Sequence, residues 1–306
     1  MIQYLQHSKI DKKKWDECID KSVNGFVYVY SWYLDAVCKN WSALILNDYE
    51  AVFPMALNAK FTINYLYQPF FTRYLGVYSK APITATLVDD FFDAIPAKIR
   101  FIEFSIHESN TFERPDFKKK ERLFQVLDIN RPYEAIYKEY KGYARRNLKK
   151  AEKSNLKIVA DVAPEKIVAI FKNNKGRQLK ELHSGDYVLL QNVMHAANQQ
   201  KCGISIGIMN TTNDLIAAAF FIESNNTILF LKGSANTEGK SLGAMYLIID
   251  TLLKKFAQKA NRFDFGGSSI ENIANFNHNF GAKNCVYLQV KKNSLPFSIQ
   301  QMSGKK

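Results

Sequence analysis

The sequence has no run of apolar residues near the roughly 20 that a membrane-spanning helix requires. Its longest runs, such as Leu215–Ile222 and Met245–Ile249, are far shorter. The first residues, Met1-Ile2-Gln3-Tyr4-Leu5-Gln6-His7, lack a basic-then-apolar leader, so neither a membrane span nor export is expected and the expected location is cytoplasmic. Cysteine is scarce. Cys18, Cys38, Cys202 and Cys285 form no C-x-x-C pair and have no histidine at zinc-finger spacing, which points to reduced, mostly buried thiols and to no metal site. No segment has linker or low-complexity composition, so two packed halves are expected rather than tethered domains. A Walker loop, a long heptad segment and any Ser–His–Asp arrangement that can be placed are also missing.

What is present fits a globular protein. A length of 306 residues suggests about two domains. Hydrophobic residues at 47% with charged residues at 23% allow large cores, and 22 Phe with 16 Tyr supply either core or stacking surfaces. The formal net charge of +13 raises the local concentration of anionic partners: CoA, tRNA, anionic lipid or nucleotide-linked precursors. Charge alone does not choose among them.

The pattern along the chain predicts an α/β (α+β) protein of two modules, residues 1–132 and 133–306. In the first, helices around Lys12–Lys21 and Ser31–Asn40 (Ser31 as N-cap) precede strands at Ala43–Leu46, Ala51–Leu57 and Ile63–Tyr67. A helix at Val88–Ile95 and strands at Phe101–Ile106 and Arg122–Leu127 complete a mainly antiparallel module. The second begins with helices at Tyr133–Tyr140 and Ala144–Ser154, then a strand at Lys157–Ala160. Helices over 164–180 and 186–200 follow, then strands at Ser205–Met209, Leu215–Glu223 and Thr227–Lys232. A polar loop, Gly233–Lys240, leads into a long helix, Ser241–Ala260, with Leu242, Tyr246, Ile249, Leu253 and Phe256 on one face. A strand at Arg262–Phe265, a helix near Asn272–Phe280 and a strand at Cys285–Val290 close the chain.

Chemistry concentrates in few places. A helix start behind a polar loop offers backbone N–H groups and a positive dipole end, which suits phosphate. Here that loop is Glu238-Gly239-Lys240-Ser241-Leu242-Gly243-Ala244. It serves equally as a plain capped helix. Gly266 and Gly267 after Asp264 permit close ligand approach, and Asp264 either receives a proton from an amine or is a structural carboxylate. His278 is a base suited to neutral pH or a packing residue. Arg145, Arg146, Lys149, Lys150 and Lys153 make one helix strongly basic, as an anion clamp or a solvated face. Tyr65-Leu66-Tyr67-Gln68-Pro69-Phe70-Phe71 with Arg73 either walls an acceptor pocket or is a core strand.

The order of elements with that loop resembles the GNAT acyl-CoA N-acyltransferases, in which a splayed strand leads into a Q/R-x-x-G-x-G/A loop holding the CoA pyrophosphate. Gly243 and Ala244 match the end of that loop, whereas its leading Gln/Arg and first Gly are not at family spacing. Two further segments are more specific. Gly142-Tyr143-Ala144-Arg145-Arg146-Asn147-Leu148-Lys149-Lys150-Ala151-Glu152-Lys153, and Phe263-Asp264-Phe265-Gly266-Gly267-Ser268 with Asn279-Phe280-Gly281-Ala282, resemble the R-x-N-[IL]-K-K-A-x-K and D-F-G-G-S … F-G-[AG] segments of FemAB-like proteins. The resemblance implies two tandem GNAT-like modules, each a mixed, mainly antiparallel sheet flanked by helices, with the donor loop in the second. It implies an acyltransferase whose acyl-CoA donor contacts Leu231, Lys232, Gly233, Ser234, Ala235 and Gly239, Lys240, Ser241, Leu242, Gly243, Ala244. Asp264 and His278 would be the catalytic residues, and Arg73, Arg145, Arg146, Lys149 and Lys150 would bind anionic substrate groups. A small-molecule or peptide-like amine acceptor would lie between the modules; DNA is not expected. The family often uses a Tyr near the last helix as the acid for the departing thiolate, but position 276 is Phe. Classical members use aminoacyl-tRNA to extend peptidoglycan precursors and carry a long helical arm absent here, so tRNA is an alternative donor. A non-catalytic binding module is the third reading.

Overall fold

The computed structural model describes residues 1–60, 63–179, 182–267 and 270–295. The chain opens with β1 (Ile2–Leu5), α1 (Lys12–Lys21), α2 (Ser31–Val37), β2 (Ser42–Leu46), β3 (Ala51–Met55), β4 (Leu57–Lys60) and β5 (Ile63–Tyr67). Next come β6 (Tyr78–Ser79), α3 (Ala85–Asp93), β7 (Phe101–Ile106), β8 (Lys118–Asp128), α4 (Tyr133–Lys138), α5 (Gly142–Lys153) and β9 (Lys157–Ala160). The remainder is α6 (Pro164–Asn173), α7 (Ser184–Gln199), β10 (Gly203–Met209), β11 (Leu215–Ser224), β12 (Thr227–Ala235), α8 (Thr237–Ser241), α9 (Ala244–Phe256), β13 (Arg262–Gly267), α10 (Glu271–His278) and β14 (Lys283–Asn293). Among the described residues no helix is long and apolar enough to cross a membrane. Two compact units result, Met1–Arg122 with the described residues from Val286 onward, and Leu123–Cys285. Their boundaries fall inside β8 and β14.

The first unit holds an antiparallel sheet of order β1-β2-β3-β6 and a second set of order β4-β5-β7-β14. In that second set β5 and β7 run parallel, from Tyr65 opposite Phe101 to Tyr67 opposite Glu103. Parallel neighbours need a crossover, and α3 lies within it. Local chemistry starts the helices. Asp11 caps α1 by accepting from the Lys13 and Lys14 N–H groups, both at 3.1 Å. Ser31 does not cap α2: Tyr30 holds that position, and Ser31 is buried, giving its N–H and Oγ–H to the Asp16 carboxylate at 2.7 Å each. A long-range carboxylate has displaced the local capping bond.

The second unit has strand order β9-β10-β11-β12-β13-β8, antiparallel except for β12 and β13. Thus each unit contains one parallel pair in a mainly antiparallel arrangement flanked by helices, as the tandem pattern implied. On one face α9 buries Ile248, Ile249, Leu252, Leu253 and Phe256 in a common core with Leu148 of α5 and Ile216 and Phe221 of β11. Each such side chain contributes on the order of 1.5–3 kcal/mol by leaving water. Two expectations need correction. β12 continues through Ala235 rather than ending at Lys232, because its antiparallel pairing with β11 persists to Ala217 opposite Ala235. The long helix does not start at Ser241: α8 ends there, and Gly243, in a left-handed conformation (φ +73°), separates it from α9.

A carboxylate inside the helical layer joins α4 to α9. Asp250 Oδ1 accepts from the hydroxyls of Tyr133 (2.7 Å) and Tyr140 (2.9 Å). Burial raises the Asp250 pKa, and the two phenol donors oppose that shift. Asp250→Ala leaves both hydroxyls without this acceptor. It is expected to lower unfolding free energy by about 2–3 kcal/mol in urea titrations, against about 1 kcal/mol or less for Asp250→Asn, which keeps an acceptor oxygen.

Candidate functional site

The parallel ladder between β12 and β13 is short. It joins Thr227 to Arg262, Ile228 to Phe263 and Leu229 to Asp264, and stops there. Beyond that point β12 stays with β11 while β13 pairs with β8. A bulge marks the divergence: Phe220 faces Lys232 and Phe221 faces Phe230, so Leu231 is the extra residue. On the other prong Asp264 is fully buried, and its Oδ1 accepts the Gly266 N–H at 2.9 Å. Arg262 Nη2 lies 3.5 Å from Asp264 Oδ2. Gly266 (φ +78°) lies at the apex, where an added Cβ would be 3.3 Å from the Phe230 carbonyl oxygen. The result is a fork with Leu231, Lys232, Gly233, Ser234 and Ala235 on its longer prong.

Lys232 on that prong is partly buried, its Nζ 5.1 Å from the centroid of the Phe171 ring of α6. Desolvation lowers its pKa to about 8, because removal from water disfavours the charged ammonium. An amine so placed gives up its proton at lower pH than an exposed lysine does. The sequence offered it only as a donor-binding position.

Past β12, Asn236 caps α8 by accepting the Gly239 N–H at 2.8 Å. Gly239 sits against β11, where a Cβ would come 2.3 Å from the Ile216 carbonyl oxygen. Gly243 approaches α5 in the same way: an added Cβ would come 2.6 Å from the Asn147 carbonyl oxygen. This approach brings the start of α9 to the middle of α5. Lys240, Ser241, Leu242 and Ala244 flank Gly243 in the chain, and Arg146, Lys149 and Lys150 flank Asn147. Lys240, Arg146, Lys149 and Lys150 are exposed. Cations beside a helix start reinforce its preference for anions.

Helix α10 is held by buried amides: Asn277 donates to Gln125 and Gln125 to Asn284, each at 3.0 Å. His278 Nδ1 is 2.8 Å from the Ala282 carbonyl, which can only accept, so the neutral ring carries its proton on Nδ1 and leaves Nε2 as an acceptor. Tyr246, one turn into α9, packs on Phe276 (ring centroids 4.8 Å apart) and Phe280 (5.4 Å). Asn279 donates to its hydroxyl at 3.4 Å, and burial pushes its pKa up to about 12. A phenol thus sits beside position 276 although the residue there is Phe. In the sequence Tyr246 reads only as part of the apolar stripe of α9.

Other proposed site residues are placed elsewhere or held by local contacts. Arg73 belongs to the first unit, buried among the rings of Tyr74, Phe26 and Tyr28, with its guanidinium carbon 4.6 Å from the Tyr74 centroid. Arg145 Nη2 donates to the Lys138 carbonyl at 2.9 Å, closing the end of α4. Ser268, in the second FemAB-like segment, lies outside the described residues.

No known family profile matches the sequence. No curated protein matches it either. Solved structures do. FemX aligns with a TM-score of 0.69 over 98% of this chain and 99% of that one, at 10% identity. The chain has the FemAB-like fold. L-PGS from Bacillus licheniformis aligns at TM-score 0.57 and 8% identity, covering 95% of each chain. A conserved protein of unknown function from Bacteroides thetaiotaomicron aligns at 0.61 and 11% identity, over 95% of this chain and 99% of that one. Likeness at such low identity shows the fold alone and leaves the chemistry to the residues of this chain.

Gly243 is the joint on which the site neighbourhood depends. Gly243→Ala combines a left-handed backbone with a methyl group directed at the Asn147 carbonyl. It is expected to cost about 1–3 kcal/mol of stability, read from urea unfolding, with no comparable loss for Gly185→Ala, whose added Cβ meets nothing within 4 Å.

Proposed function

We propose that the protein is an N-acyltransferase that moves an acyl group from acyl-CoA to an amine acceptor at the β12–β13 fork. The observation that carries this reading is the fork itself, with a bulged prong leading through α8 to the start of α9. In this reading the donor's phosphates lie at the α9 start beside Lys240, with Arg146 and Lys150 nearby. Backbone N–H groups within Leu231–Ala235 polarise the thioester carbonyl. Lys232 takes one proton from the acceptor ammonium, the freed amine nitrogen bonds to the carbonyl carbon, and the C–S bond breaks. Tyr246, protonated at neutral pH, donates to the departing thiolate, and its phenolate takes the second proton that the nitrogen sheds as the amide forms. Asp264 holds the Gly266 turn in place, and His278, with Nε2 as acceptor, is the alternative base.

Aminoacyl-tRNA is the second reading for the donor, favoured by the likeness of fold to FemX. Calorimetry with acetyl-CoA, longer acyl-CoAs and free CoA, at low and moderate salt, separates the two. Micromolar binding that survives moderate salt supports acyl-CoA. Absence of CoA binding, with tRNA retention that weakens steeply with salt, moves the donor to aminoacyl-tRNA.

With a turning-over donor, the rate should rise with pH until Lys232 is neutral, levelling above about 8. Lys232→Met should remove that limb and lower kcat by about 100-fold or more. An unchanged pH profile in this variant would assign the base to His278 instead. Tyr246→Phe should lower kcat by roughly 10- to 100-fold with little change in KM. An undiminished kcat would discard Tyr246 as the acid.

A further inference from the structure

Helix α5 presents a basic face that extends beyond Arg146 and Lys150, the two cations proposed to lie near the donor phosphates, to Lys149 and Lys153. Its apolar stripe, Ala144, Leu148 and Ala151, is buried. Opposite that stripe Arg146, Lys149, Lys150 and Lys153 are all exposed, and none of them forms an ion pair among the described residues. Their spacing makes four like-charge neighbours at i,i+3 and i,i+4 (Arg146 with Lys149 and Lys150, Lys153 with Lys149 and Lys150), each of which disfavours the helix. Residues 138–157 carry Lys138, Lys141, Arg145, Arg146, Lys149, Lys150, Lys153 and Lys157 against Glu139 and Glu152, a net six of the chain's thirteen positive charges. An opposing anionic surface relieves that repulsion.

We propose that the solvent face of α5 docks the protein onto an anionic bilayer surface. The binding is electrostatic adsorption: the apolar side of α5 is committed to the core, so the helix cannot turn it into lipid. Three of the four side chains are lysines, compact charges that suit a field of headgroups rather than bidentate reading of single phosphates. The neighbouring aromatic, Tyr143, is 55% exposed, which fits the headgroup layer. Its ring is engaged by the Arg146 guanidinium (5.9 Å) and by Tyr246 (6.0 Å), which makes it a poor platform for stacking an unpaired base. Planar anionic lipid therefore fits this face better than RNA.

The test uses the full chain and co-sedimentation with vesicles of phosphatidylcholine, alone or with about 30% phosphatidylglycerol, at two salt concentrations. Binding should require the anionic lipid and weaken with salt. A basic side chain held against such a surface contributes a factor of about five in partitioning, so replacing Arg146, Lys149, Lys150 and Lys153 together by Gln should weaken binding by roughly 100-fold or more. The control replaces Lys13, Lys98, Lys118 and Lys120, exposed in the first unit, by Gln; it lowers net charge equally and should retain most of the binding. Thermal melting of both variants reports folding, and the α5 variant should melt no lower than the parent, since it relieves like-charge repulsion. Equal losses in the two variants would reduce the effect to net charge and overturn the proposal. So would an absence of vesicle binding at low salt, or a short RNA that binds through the same four residues and outcompetes the vesicles.

Discussion

The second unit turns on where the pairing between β12 and β13 stops. Three residue pairs hold the strands together, and then β12 follows β11 while β13 follows β8. Two local devices support the divergence. The bulge at Leu231 lengthens one prong by a residue, and the Asp264–Gly266 hydrogen bond shapes the other. Each backbone group released from a ladder needs another partner, which a ligand can supply. A fork inside an otherwise paired sheet therefore offers backbone groups to a ligand with little rearrangement, which is why the transfer site is proposed there.

Close approaches around the fork set the electrostatics. Gly239 lets α8 touch β11, and Gly243 lets the start of α9 touch α5. A larger residue at 243 would meet the Asn147 carbonyl and press the two helices apart. Burial beneath α6 gives Lys232 a pKa unlike that of a surface lysine, and burial among Phe276 and Phe280 keeps Tyr246 protonated. Lys232 and Tyr246, the base and acid proposed for the transfer, thus differ in pKa because of where they are packed. The residue types alone, lysine and tyrosine, would assign neither role.

The two units repeat one plan with different fillings. In the first, the segment after β5 carries Pro69, Phe70, Phe71 and buried Arg73, where the second has a glycine-jointed helix start. Its parallel pair remains, but aromatic packing around Arg73 (Tyr74, Phe26 and Tyr28) occupies the following segment. This accounts for a donor-loop signature that could be recognised in only one half of the chain.

By itself the sequence determined the alternation of helices and strands, the apolar stripe of α9, the basic face of α5, and the Asp264–Gly267 turn. Each of these depends on neighbours within a few positions, where periodicity and glycine conformation act. Only the tertiary structure decided that β12 runs on to Ala235, that Asp16 rather than Ser31 organises the start of α2, and that Tyr246 lies against Phe276. It also decided that Lys232 is desolvated by burial, with its Nζ near the Phe171 ring, and that Gly243 meets Asn147. These depend on residues tens of positions apart, and burial, the cause of both pKa shifts, is set by what packs against a side chain rather than by what adjoins it in the chain.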